Sequence, residues 1–137
     1  MKIPARHLLF VAMLLGLSAC STTKLGTAQD SPETVLVAYH ARAGKEAELQ
    51  AAILRAWDIY KGKSLVFARP HVILKETEDG DKIRFVEIFT WVSHAGPAHA
   101  PDSVKAIWQQ ELLLCEDRDG HHGIDGGEVS LVTPAAK

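Results

Sequence analysis

Two stretches of this chain are apolar on both of the faces that a β-strand presents. "TVLVAYHAR", Thr34 to Arg42, sets Val35, Val37 and Tyr39 against Leu36, Ala38 and His40, and "FVEIFTW", Phe85 to Trp91, sets Phe85, Glu87, Phe89 and Trp91 against Val86, Ile88 and Thr90. Successive side chains of a strand point to opposite sides of its sheet. A sheet containing both runs has two faces to take out of water, and one layer of helices covers only one of them.

The rest of the pattern supplies that one layer. From Lys45 to Tyr60 the residues Leu49, Ala52, Ile53, Ala56, Trp57 and Tyr60 recur at three- and four-residue steps, which places them on one face of an amphipathic helix that "KGKS" ends. After Pro70, "HVILKE" and "KIRFVEIFTWV" are joined by "TEDGD", where Asp79-Gly80 supplies the positive φ of a tight hairpin. Asp102 is the expected N-cap of a second helix carrying Val104, Ile107, Trp108, Leu112 and Cys115 at helical spacing, with Gly120 near its end. A glycine-rich loop then leads to a last strand, "EVSLVT". The order β-α-β-β-α-β predicts an α+β, ferredoxin-like split βαβ fold: a four-stranded antiparallel sheet with two helices on one face. A second copy of the chain, sheet against sheet, is the economical cover for the other face, because large exposed apolar patches are uncommon on monomers.

The N-terminus belongs to a different problem. "MKIPARH" is a positive n-region, "LLFVAMLLGL" an apolar segment too short to span a bilayer, and "LSAC" ends in Cys20. This resembles a bacterial lipoprotein signal, which predicts cleavage after residue 19, lipidation of Cys20 and a membrane anchor. Ser21 rather than Asp follows the cysteine, so the expected location is the outer membrane, facing the periplasm. Residues 21 to 33 read as a flexible tether and residues 34 to 137 as the folded domain. Removing residues 1 to 20 takes away Lys2 and Arg6 and no acid, so 15 basic and 17 acidic residues become 13 and 17, a net charge of −4. Nothing here is basic enough to bind nucleic acid. With Cys20 consumed by lipid, Cys115 is the one remaining thiol, and without a CxxC or an activating neighbour it reads as a small core residue.

The carboxylate of Glu87, inside an otherwise apolar run, is the feature that bears on chemistry. A half-buried acid usually finds a partner, here Arg84, His40 or Arg42 at the sheet surface or a dimer seam. Alternatively it faces a cleft. Period-two geometry puts it with Phe85, Phe89 and Trp91, and the aliphatic set Val86 and Ile88 suits helix packing, so the aromatic set is expected to face the barrel interior or the cleft. There Glu87 would accept a proton from a phenolic hydroxyl while rings stack on the substrate.

Other motifs carry less. His40 shares the first strand with Arg42 and is a candidate for ligand contact; His71 opens a strand and is expected at the surface. His94 and His99 share a loop without a fixed third ligand, so no metal is expected there. "DRDGHHGIDGGE" sets Asp117, Asp119, Asp125 and Glu128 at calcium-loop positions, but His122 stands where the sharp turn requires glycine. Trp57 and Trp108 read as core. Without GxSxG, a phosphate loop or a dinucleotide fingerprint, hydrolase, nucleotide and flavin readings have no support.

The element order, the hairpin into "FVEIFTW", the small-residue loop with His99 and the helix "DSVKAIWQQELLLCE" together resemble the antibiotic biosynthesis monooxygenase-like domains, which form dimeric α+β barrels. Trp91 matches the aromatic that many members carry near the end of the third strand, and His99 their loop histidine. The glutamate usual two residues before that aromatic is Phe89 here, with the acid two further back at Glu87, and "APDSV" lacks the histidine that often follows the loop proline. Haem-degrading members ligate iron from the second helix, and Ser103 to Glu116 contains no histidine. The resemblance implies a homodimeric oxygenase without cofactor, acting on an aromatic or quinol-like molecule, with Glu87 and His99 as acid/base residues and Trp91, His40 and Phe89 lining the site. A non-catalytic module binding an apolar ligand or a partner protein in the envelope is the alternative.

Overall fold

The computed structural model describes residues 30–118, 120 and 123–132. The signal segment, Cys20, most of the tether and the pair His121-His122 lie outside the described residues. The chain runs β1 (Glu33–His40), α1 (Glu46–Gly62), β2 (Val66–Glu78), β3 (Lys82–Trp91), a 3-10 turn (Pro97–His99), α2 (Asp102–Leu114) and β4 (Ile124–Glu128). All pairings are antiparallel, in the order β2-β3-β1-β4. This is the expected ferredoxin-like α+β arrangement, with the two apolar-on-both-faces strands at the centre.

The hairpin turn sets the register on which the site depends. Gly80 and Asp81 adopt φ of +75° and +57°, and Glu78 pairs with Lys82 directly after them. Counting back along the ladder brings His71 opposite Phe89. The second strand begins earlier than "HVILKE", at Val66, with a register break before His71.

The helices lie on the aromatic face, not on the aliphatic one. Tyr39, Phe85, Phe89 and Trp91 form one core with Leu49, Ile53, Ala56, Trp57 and Tyr60 of α1 and Val104 and Ile107 of α2. The expected split, aliphatic residues under the helices and aromatic residues at a cleft, is thus corrected: cleft and helix layer share one face. Large rings span the gap between sheet and helix and leave space between them, whereas Val86 and Ile88 lie on the open face. There Val72 and Leu74 are 42% and 47% exposed.

Two ends of elements also differ from expectation. The last strand is Ile124–Glu128, not "EVSLVT", because Gly126 and Gly127 pair through their backbones with Val37 and Leu36. Pairing that needs no side chain leaves no strand propensity to read. In α2, Pro101 is the N-cap and Asp102 the first helical residue, while Cys115 is the C-cap, buried against the core rather than within the helix.

Candidate active site

Glu87 is fully buried on the helix-facing side of β3. Its direct neighbours across the sheet are Val37 and Ile73, which offer nothing to a carboxylate. The diagonal neighbours do, since long side chains reach across that spacing. Tyr39 of β1 donates its hydroxyl to Oε2 at 2.9 Å, and Nε2 of His71 of β2 lies 2.9 Å from Oε1. His71 is in turn stacked flat on Trp57 of α1, with ring centroids 3.6 Å apart and planes 9° from parallel. The partners expected from sequence, Arg84, His40 and Arg42, are engaged elsewhere. Arg84 pairs with Glu76 and Glu78, Arg42 donates to the Cys115 carbonyl, and His40 Nδ1 stands 3.8 Å from Glu78. The register assigns Arg84 and His40 to the opposite face from Glu87.

Burial pushes the Glu87 carboxyl above its ordinary pKa, and the hydrogen bonds from His71 and Tyr39 oppose that shift. Burial, and then the charge of Glu87, hold the Tyr39 phenol well above its usual range.

Tyr39 connects this buried triad to a cavity of about 360 Å³ between the sheet and α2. Its walls are Tyr39, Tyr60, Phe89, Trp91, Trp108 and Glu111, with Gly126 of β4 on the sheet side. The rings brace one another: Trp91 lies 5.0 Å from Tyr60, 5.1 Å from Phe89 and 6.3 Å from Trp108, the last two edge to face. The indole nitrogen of Trp108 donates to the Tyr60 hydroxyl at 2.6 Å. The size suits one small organic molecule, at the lower end of ligand-pocket volumes of roughly 300–1,000 Å³.

Of the residues singled out from sequence, Trp91 and Phe89 line this cavity and Glu87 lies directly behind it, linked through Tyr39. His99 is exposed on the 3-10 turn, two residues from the lining Pro97. His40 belongs to the ionic cluster at one end of the sheet, and His94 pairs with Glu33 at 3.0 Å. His71, expected at the surface, is instead half-buried as the partner of Glu87, because the hairpin register carries it under α1. Trp108 is a cavity wall rather than plain core. Among the described residues no three His, Cys, Asp or Glu side chains come together as metal ligands.

Glu111 was the least visible of these residues in the sequence. It sits seven residues after Val104 and four after Ile107, on the buried stripe of α2, and is 1% exposed. Burial first, then the charge of Glu87, push its carboxyl up to about 8, with Arg55 opposing. The signal was its place in the helical repeat, which a charged residue name conceals.

No protein-family model matches the sequence, and no curated protein matches it. Solved structures do match. The cofactor-independent oxygenase SnoaB from Streptomyces nogalater superimposes with a TM-score of 0.56 at 17% identity, over 78% of this chain and 99% of that one. Rv0793 from Mycobacterium tuberculosis gives 0.55 at 13%, over 77% and 100%. A candidate antibiotic biosynthesis monooxygenase from Caulobacter crescentus gives 0.52 at 13%, over 76% and 92%. The fold is that of the antibiotic biosynthesis monooxygenase-like proteins.

The raised pKa of Glu111 has a measurable consequence for stability. The unfolded chain loses this proton in the ordinary carboxylate range while the folded chain holds it to about 8, so the contribution is full at low pH and is lost as pH rises between those two values. Urea unfolding from pH 5 to 7 should show wild type losing about 2 kcal/mol relative to Glu111→Gln. Parallel pH profiles for the two proteins would refute a neutral Glu111.

Proposed function

We propose that this protein is a cofactor-independent monooxygenase, or a related redox enzyme, acting on an aromatic or quinol-like small molecule. The observation that carries this reading is the aromatic-walled cavity in which the Tyr39 hydroxyl is tied to a buried carboxylate, on a fold shared with a cofactor-independent oxygenase. Deprotonating a phenolic substrate leaves an electron-rich anion that reduces oxygen directly. A substrate that surrenders its hydroxyl proton and one ring hydrogen gains one oxygen atom as a carbonyl, and the other oxygen leaves as water. That balance needs no external reductant and no bound cofactor. Glu87 would serve through Tyr39, with His71 fixing the carboxylate between them. His99, exposed beside the lining Pro97, would act at the cavity mouth.

One observation favours the alternative of a non-catalytic envelope protein that binds a small apolar ligand or a partner: neither Glu87 nor His99 lines the cavity itself. Turnover separates the two. Oxygen uptake by the full chain in detergent, across a panel of hydroquinones and polyphenols, should exceed the spontaneous rate and fall about a hundredfold in Glu87→Gln. No uptake above background for any compound overturns the oxygenase reading.

The protein would act as a homodimer joined through the open sheet face, where exposed Val72 and Leu74 stand beside Leu36 and Ile88. Sedimentation should give a dimer for wild type and a monomer for Leu74→Lys; an unchanged mass would exclude this face as the interface. Lipid on Cys20 would anchor the dimer in the outer membrane, facing the periplasm, as the "LSAC" motif suggests. Wild type should then fractionate with membranes and Cys20→Ala with the soluble pool, and equal partition of the two would refute the anchor.

A further inference from the structure

We infer that the cavity selects a neutral, flat aromatic molecule of one or two fused rings, recognised by a hydrogen bond that Glu111 donates to a carbonyl or hydroxyl oxygen on the ring. This rests on reading the cavity as a substrate site, and it names a binding residue that the proton-transfer chain Tyr39–Glu87–His71 does not contain.

The two buried acids differ in the partners they already have. Both carboxylate oxygens of Glu87 are occupied, one by Tyr39 and one by His71. Glu111 stands on the cavity wall, 1% exposed, and its Oε1 has no hydrogen-bond partner among the described residues. Buried polar atoms are nearly always satisfied, so a carboxyl with an unpartnered oxygen on a residue that lines a cavity marks the place of a ligand group. Neither neighbouring hydroxyl is bonded to it: Tyr60 accepts from Trp108, and Tyr39 donates to Glu87.

The protonation state decides which ligand group fits. Facing Glu111 are Glu87 and Tyr39 from the sheet, Tyr60 and Arg55 from α1, and Cys115 from the end of its own helix. Among these the arginine is the single cation, and the net surroundings hold the carboxyl neutral at pH 7. A neutral carboxyl has one O–H to donate. A ligand oxygen satisfies that proton, and an anionic carboxylate is disfavoured by the apolar walls and by Glu87. The wall rings Phe89, Trp91 and Trp108 supply flat contact, and the volume of about 360 Å³ limits the ligand to a small one.

Three compounds on one bicyclic skeleton test this with the full chain in detergent: 1-indanone, which carries a carbonyl acceptor, indane, which carries none, and indane-1-carboxylate, which is anionic. Calorimetry at pH 6.5 should give 1-indanone about tenfold tighter than indane, and the carboxylate weakest, as for one hydrogen bond in a desolvated site. Glu111→Gln, which keeps an N–H donor, should retain the preference for the ketone, and Glu111→Leu should abolish it. In wild type the preference should fade as pH rises through about 8, and in Glu111→Gln it should stay constant.

Equal affinity for ketone and indane in wild type, a preference that survives Glu111→Leu, or absence of binding by all three overturns the proposal. Should the leucine variant fail to fold, the wild-type pH series decides alone: a preference unchanged to pH 10 refutes the role of Glu111. Discrimination without oxygen uptake would overturn the oxygenase reading and leave this inference standing, while uptake without discrimination would do the reverse.

Discussion

The carboxylate of Glu87, taken fully out of water beneath two helices, is the constraint around which the rest is arranged. Removing one partner from a buried charge leaves it uncompensated, at about 3–5 kcal/mol. Its two partners come from different strands, so β1, β2 and β3 must all be in register for both hydrogen bonds to form. Trp57 extends the requirement to α1 by packing flat on His71. A one-residue slip of β2 would carry His71 to the opposite face and leave Glu87 with Tyr39 alone. The polar contact thus specifies an arrangement that the hydrophobic effect, which has no direction, leaves open.

The two faces of the sheet have separate tasks. The helix-facing side holds large rings that keep α2 off the strands and so enclose space. The other side is smooth and aliphatic in its middle, and its polar residues gather at one end. There Arg118, itself buried, engages Glu78, Glu116 and the Ala41 carbonyl, while Arg84 engages Glu76 and Glu78. These ion pairs occupy the cations that might otherwise have neutralised Glu87 or Glu111. Burial is then the leading reason that the two buried acids on the helix face both hold protons more tightly than free carboxylates do.

Element order, the hairpin and the need to cover two sheet faces were readable because they rest on periodicity and on Gly80, which are local properties of the sequence. The side on which the helices sit was not, because aromatic and aliphatic sets both satisfy a core, and only the volume between layers distinguishes them. His71 was hidden by a register that must be counted through the turn from Glu78 and Lys82. Glu111 was hidden by its charge, although its spacing from Val104 and Ile107 already assigned it to the inner stripe. The strand at Ile124–Glu128 was unreadable from side chains, since two of its three central residues, Gly126 and Gly127, have none.

That last strand carries a consequence for how the chamber acquires its dimensions. Gly126 faces the cavity at the sheet margin, and a Cβ added there would meet the Leu36 carbonyl oxygen at 3.2 Å and the Val37 side chain at 3.6 Å. The neighbouring wall is therefore defined by the absence of a side chain on an edge strand, where backbone adjustment is easiest. Restoring a side chain at this one position would require the edge strand to move away from β1, so the backbone pairing of β4 and the width of the chamber are set together.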